Sequence, residues 1–256
     1  MVKALPRNNS LTTYYFPHHG ILREQSTTTP LKVVFNGSSP STTGASLNSI
    51  SHTGAKLQKD ISDVLLWVRK FRFIFSTDIT KMFRQIKVHP DDWNLQRILW
   101  VDLSNKETSY QLTTVTYGNK SAPFLAVRVL LQLIQDEGHR FPLEVPVLLN
   151  GRYEDDIYGG ADELSQLKYI AKELMELLIS GGFPLAKWQS NHPDFFDAVK
   201  GKGSTNHSHL IDHTQTKVLG LSWFPRSDQF KFLTEPTTPL DQGTSKRSIP
   251  SEVSHK

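Results

Sequence analysis

The 256-residue chain contains no cysteine. That absence excludes disulfide frameworks, thiol catalysis, iron–sulfur clusters and Cys-ligated zinc, so any metal must be held by oxygen or imidazole. Long apolar runs are also missing; the longest unbroken ones are only a few residues. The N-terminal MVKALPRNNS lacks the apolar stretch of a secretion signal, so the expectation is an intracellular protein, neither secreted nor membrane-spanning. Net charge is small as well. Lys and Arg exceed Asp and Glu by 29 to 25, a net +4 that is compatible with a polyanionic partner without requiring one. What is present, 38% hydrophobic and 10% aromatic residues, suffices for a large folded core and excludes collagen-like or wholly disordered chains.

Residues 1–53 are rich in Ser, Thr, Gly, Pro and Asn, with two apolar stretches, Tyr14–Phe16 and Leu31–Phe35, that read as strands among loops. The pattern changes at Leu57. Leu57, Ile61, Val64, Leu65 and Val68 recur at helical spacing, and FRFIFS (71–76) follows as a strand ending just before Asp78. LQRILWV and TSYQLTTV read as a hairpin across the polar Asp102–Glu107 stretch, and a helix is expected from about Ser121 to Gln135. VPVLLN (145–150) reads as a buried strand, RYEDD as a tight turn and IYGG as the returning strand. Residues 162–180 have the clearest amphipathic period and stop at Gly181–Gly182. FPLAKW, KVLGLSWF and QFKFL read as a strand and a hairpin, and the polar 234–256 as a disordered tail. The order of elements implies an α+β fold, an antiparallel sheet backed by helices.

Three carboxylates stand out. Asp78 follows a buried strand, and Asp155–Asp156 occupy a turn between apolar segments. An Asp pair on a solvated hairpin needs no metal, because Asp is a favoured turn residue. Two-metal phosphoryl chemistry, however, needs several carboxylates converging on hard cations about 4 Å apart, and adjacent like charges are relieved by a bound cation. His207, His209 and His213 lie in a polar stretch with no fourth ligand and read as solvated.

In order, the blocks YYFPHHGI, LKVVFNGS with GASLN, FSTDITKMFRQIKVHPDD, TYGNKSAPF, YEDDIYGG, GGFPLAKWQSN and KVLGLSWF resemble a reverse transcriptase, most closely the Pao/BEL group of LTR retrotransposons, over roughly residues 14–232. The resemblance implies a right-hand polymerase, fingers and palm, with an antiparallel palm sheet and the thumb largely missing. The divisions it implies are fingers at 1–53 and 86–121, palm at 54–85 and 122–233, and the tail at 234–256. It implies that Asp78, Asp155 and Asp156 hold Mg²⁺, with Mn²⁺ as a substitute, and that Phe83 underlies the sugar and favours deoxynucleotides. Tyr117 and Gly118 would line the incoming nucleotide. Arg23 and Lys32 would contact its triphosphate, and Lys187 would serve the departing pyrophosphate. Leu219, Gly220 and Trp223 would form a primer grip. The implied partners are an RNA or DNA template with its primer and dNTPs; RNase H and integrase segments are expected on a longer polyprotein.

The chain departs from that pattern at Glu154, where the family carries a small or aliphatic residue, and at Thr116–Tyr117, where it often carries Pro-Gln. Asn36 likewise replaces a common acidic residue. Two functional classes follow: an RNA-directed DNA polymerase, or a catalytically silent remnant that keeps the fold and at most binds nucleic acid. An RNA-dependent RNA polymerase is a third, disfavoured by Phe83.

Overall fold

The apolar run after Arg72 becomes an interior strand, β4 in the order that follows. The computed structural model describes residues 1–4, 12–22, 30–199, 216–218 and 221–232. Within the unit formed by residues 1–212 the elements are β1 (Val2–Lys3), β2 (His18–Leu22), β3 (Leu31–Phe35), α1 (Leu47–Ile50), α2 (Ile61–Val68), β4 (Phe73–Ile79), α3 (Met82–Gln85), β5 (Arg97–Val101) and β6 (Glu107–Gln111). They continue with α4 (Ala122–Glu137), α5 (Val145–Asn150), β7 (Arg152–Tyr153), β8 (Asp156–Ala161), α6 (Leu164–Ser180), β9 (Leu185–Ser190) and α7 (Phe196–Val199). A second unit, 213–256, carries β10 (Thr216–Val218), β11 (Leu221–Phe224) and β12 (Gln229–Lys231), an antiparallel sheet in that order.

The main sheet runs β7-β8-β4-β9, antiparallel throughout. Phe75 and Ile79 of β4 are fully buried with Ile157 of β8 and with Leu167, Ala171, Leu174, Leu177 and Leu178 of α6. Each large side chain so buried stabilises the fold by about 1.5–3 kcal/mol. The glycines of IYGG admit aromatic neighbours at close range: a Cβ on Gly159 would stand 2.2 Å from the Phe75 ring, and one on Gly160 2.4 Å from Phe71. Phe75 in turn stacks on Phe195 with ring centroids 5.3 Å apart. A smaller cluster, Tyr14, Phe16, Leu47 and Ile98, packs the N-terminal segment against the β5–β6 hairpin, whose β6 also pairs with β1.

Several expectations need correction. VPVLLN is the helix α5, not a strand. Its Pro146 lacks the N–H that an interior strand would need and suits a first helical turn, while a short apolar run alone does not separate the two states. β4 runs through Asp78 to Ile79, so this carboxylate lies inside a strand paired on both sides rather than beyond its end. Tyr14–Phe16 is no strand: Tyr15 makes one isolated bridge to Arg97, and Tyr14 and Phe16 are core residues. The partner of Leu31–Phe35 is β2, whose sequence HHGIL carries little apolar alternation. The helix expected from Leu57 begins at Ile61 behind the N-cap Asp60. The tail 234–256 and the three loop histidines lie outside the described residues. Among the described residues no helix is long and apolar enough to cross a membrane.

Candidate active site

The interior strand and its neighbour bring the expected carboxylates together. Asp78 pairs directly with Asp156 across the β4–β8 ladder. Tyr153 pairs with Asp156, leaving Glu154 and Asp155 as a two-residue hairpin loop. The loop is fastened to β4 by the Ile79 N–H, which donates to the Asp155 carbonyl at 2.8 Å. Glu154 takes the left-handed conformation (φ 53°) that such a short loop needs, and its side chain is exposed. The acidic substitution is thus turned to solvent.

Burial sets the electrostatics. It pushes the Asp156 carboxyl up to about 7, and repulsion from Asp155 and Asp78 adds to the rise. Asp155 is raised by burial and by Asp78, against the opposing charges of Lys187 and Lys32. Tyr158, two residues along β8 and therefore on the same face as Asp156, shares a hydrogen bond with it and is raised above its ordinary range, chiefly by burial.

Lys187 reaches the site by a distortion of β9. Between Ser76 and Asp78 the β4–β9 register slips by one residue, and within this bulge Lys187 adopts φ 57°. Its Nζ lies 2.8 Å from Asp78 Oδ2. The ammonium thus lies at the carboxylates, paired with Asp78. Among the described residues no three His, Asp or Glu side chains are arranged to hold a metal ion; Asp78 is engaged by Lys187 instead. The donor chemistry still fits a hard cation: three neighbouring oxygen-donor groups, two of them desolvated and driven toward their protonated forms by mutual repulsion.

The other expected residues are spread more widely. Lys32, half-buried on β3, is close enough to act on Asp155 by its charge. Tyr117 and Gly118 turn toward β3: the Tyr117 hydroxyl donates to the Val33 carbonyl, its ring meets Phe35 edge-on at 5.4 Å, and a Cβ on Gly118 (φ 91°) would stand 2.3 Å from the Phe35 carbonyl oxygen. Asn48 ties the same region together, donating to Ser38 Oγ and to the Gly118 carbonyl, each at 2.9 Å, and accepting from the Lys120 N–H at 2.7 Å. Phe83, on α3, is half-buried and packs against the main core. Trp223 belongs to the second unit, where it stacks on Phe230 and donates to Asp228 Oδ1 at 3.2 Å. Arg23, Leu219 and Gly220 lie outside the described residues.

Tyr158 and Gln58 were not singled out from the sequence. The strand alternation that follows the Asp pair marks Tyr158; Gln58 sits in a loop and carries no comparable mark.

No protein-family model matches the chain, and no curated protein matches it in sequence. Its fold is like that of a retroviral reverse transcriptase. The crystal structure of prototype foamy virus protease–reverse transcriptase superposes with a TM-score of 0.50 at 16% identity, over 70% of this chain and 21% of that one. The chain thus spans about a fifth of that protein's length, and at this identity the likeness speaks for the fold alone.

Proposed function

We propose that the chain is the fingers and palm portion of an RNA-directed DNA polymerase, a reverse transcriptase of the Pao/BEL retrotransposon kind. In this reading it joins dNTPs to the 3′-hydroxyl of a primer on an RNA or DNA template. The observation that carries it is the pairing of Asp78 with Asp156 across one ladder, with Asp155 beside them in the connecting loop.

Asp78, Asp155 and Asp156 would hold Mg²⁺, or Mn²⁺ in its place; when bound, the ions supply activation of the attacking hydroxyl and stabilisation of charge on the leaving oxygen. The remaining residues act through position and charge. Lys187 offsets the charge of Asp78, and Lys32 and Lys187 together oppose the protonation of Asp155. Lys32 belongs to a hairpin anchored by the Tyr117 hydroxyl bond and the Gly118 approach, so these two residues support a cation that would face the triphosphate. Phe83 would exclude a 2′-hydroxyl, and Trp223 would belong to the primer grip.

The test is primer extension on poly(A)·oligo(dT) by the purified chain with Mg²⁺ or Mn²⁺. Extension is expected, with Asp155→Asn lowering it at least about a hundredfold. Phe83→Ala is expected to admit ribonucleotides, and unchanged sugar selectivity would remove Phe83 from its assigned place. No extension with either metal would overturn the enzyme and leave a nucleic-acid-binding remnant.

A further inference from the structure

The strand that leads into the carboxylate loop is only two residues long and lies at the sheet edge, so among the described residues its outer side has no neighbouring strand in the sheet. In an extended chain the carbonyl of residue i and the N–H of residue i+2 point to the same side, here those of Arg152 and Glu154. A single side chain meets both. Gln58, half-buried just ahead of α2, accepts from the Glu154 N–H at 3.2 Å through Oε1 and donates to the Arg152 carbonyl at 3.2 Å through Nε2. The same Oε1 accepts from Arg152 Nη1 at 3.0 Å. The carboxamide does what one peptide unit of a neighbouring strand would do. Its orientation is unambiguous, because exchanging N and O would set its NH₂ group against two donors.

Two further facts give the contact weight. Arg152 is buried, and burial lowers its guanidinium pKa; Gln58 supplies the acceptor its Nη1 uses. Glu154 is the residue that takes the left-handed conformation, immediately before Asp155. The loop is therefore gripped from opposite sides, by the Ile79 N–H on the Asp155 carbonyl and by Gln58 on the Glu154 N–H.

We infer that Gln58 is a positioning residue for the Asp155–Asp156 loop, standing in for a missing edge strand and holding the carboxylates in register for reaction. The catalytic half of this inference rests on the polymerase reading; the structural half does not. Its hydrogen bonds at this loop go to the Glu154 N–H and to the carbonyl and guanidinium of Arg152, so it acts on the carboxylates through the hairpin that carries them. A buried or half-buried hydrogen bond of this kind holds a group to within the tolerance that chemistry needs, and its loss is felt in turnover rather than in binding of a remote substrate portion.

The experiment uses the full chain with Gln58→Leu, which keeps bulk and removes every hydrogen bond, and Gln58→Glu, which keeps both accepted bonds. Hydrogen exchange of the 151–157 segment and primer extension are measured in parallel. In Gln58→Leu the Glu154 amide is expected to exchange about tenfold faster, with the β4 amides unchanged. kcat is expected to fall about tenfold with the dNTP KM within about twofold, and Gln58→Glu is expected to restore most of both. Unchanged exchange at 151–157 in Gln58→Leu would overturn the inference, as would faster exchange spread evenly over the whole sheet. If the parent chain extends no primer, the polymerase reading fails on its own, and the exchange of 151–157 alone decides whether Gln58 holds the loop.

Discussion

Glu144 is fully buried beside Glu173. Burial, reinforced by the charge of Glu173, raises it from 4.5 to about 7. A carboxyl whose pKa is raised by folding favours the native state fully below its unfolded value and loses that contribution as pH climbs through the folded value. Glu144→Gln is therefore expected to be more stable than the parent above about pH 7, by on the order of 3 kcal/mol, with the gap closing below about pH 5. Urea unfolding at the two extremes reads this directly, and a gap independent of pH would mean that the carboxyl does not titrate as described. In the sequence this residue is an ordinary acid ahead of an apolar run. Its burial depends on how the segment ahead of α5 meets Glu173 of α6, which no local pattern records. Asp78, Asp155 and Asp156 are different, because a strand on one side and a short hairpin on the other leave few places for them to go.

At the scale of elements, β8 shows what the sequence conveys and what it hides. The turn-and-return of YEDDIYGG is legible from residue types alone, since Asp favours the loop and Ile157 resumes the strand. The reason for two consecutive glycines is not: they face Phe71 and Phe75, which lie more than eighty residues earlier. Gly159→Ala is expected to force the Phe75 ring out of its stack on Phe195 and to destabilise the chain by about 1–3 kcal/mol, measured as a fall in the urea midpoint. VPVLLN illustrates the reverse failure, a run whose apolar content is legible but whose period is too short to choose between helix and strand. The distinguishing mark was Pro146. Tyr14–Phe16 is hidden for another reason: its aromatics serve a small core shared with Leu47 and Ile98, so burial there owes nothing to a strand.

For the molecule as a whole, the order of apolar blocks carries most of the architecture, because antiparallel strands separated by amphipathic helices have few ways to close one core. The two clusters of buried residues described above lie within 1–212. The Lys187–Asp78 pair was out of reach of the sequence at this scale, since it depends on a one-residue slip between two strands over a hundred residues apart.

That slip sets folding against chemistry at one position. Lysine at φ 57° is held where glycine rests without penalty, a difference of about 1 kcal/mol, so Lys187→Gly is expected to raise the melting temperature by a few degrees while abolishing the partner of Asp78. A library sorted for thermal endurance should drift to glycine there, and, on the proposed polymerase reading, one sorted for primer extension should return lysine.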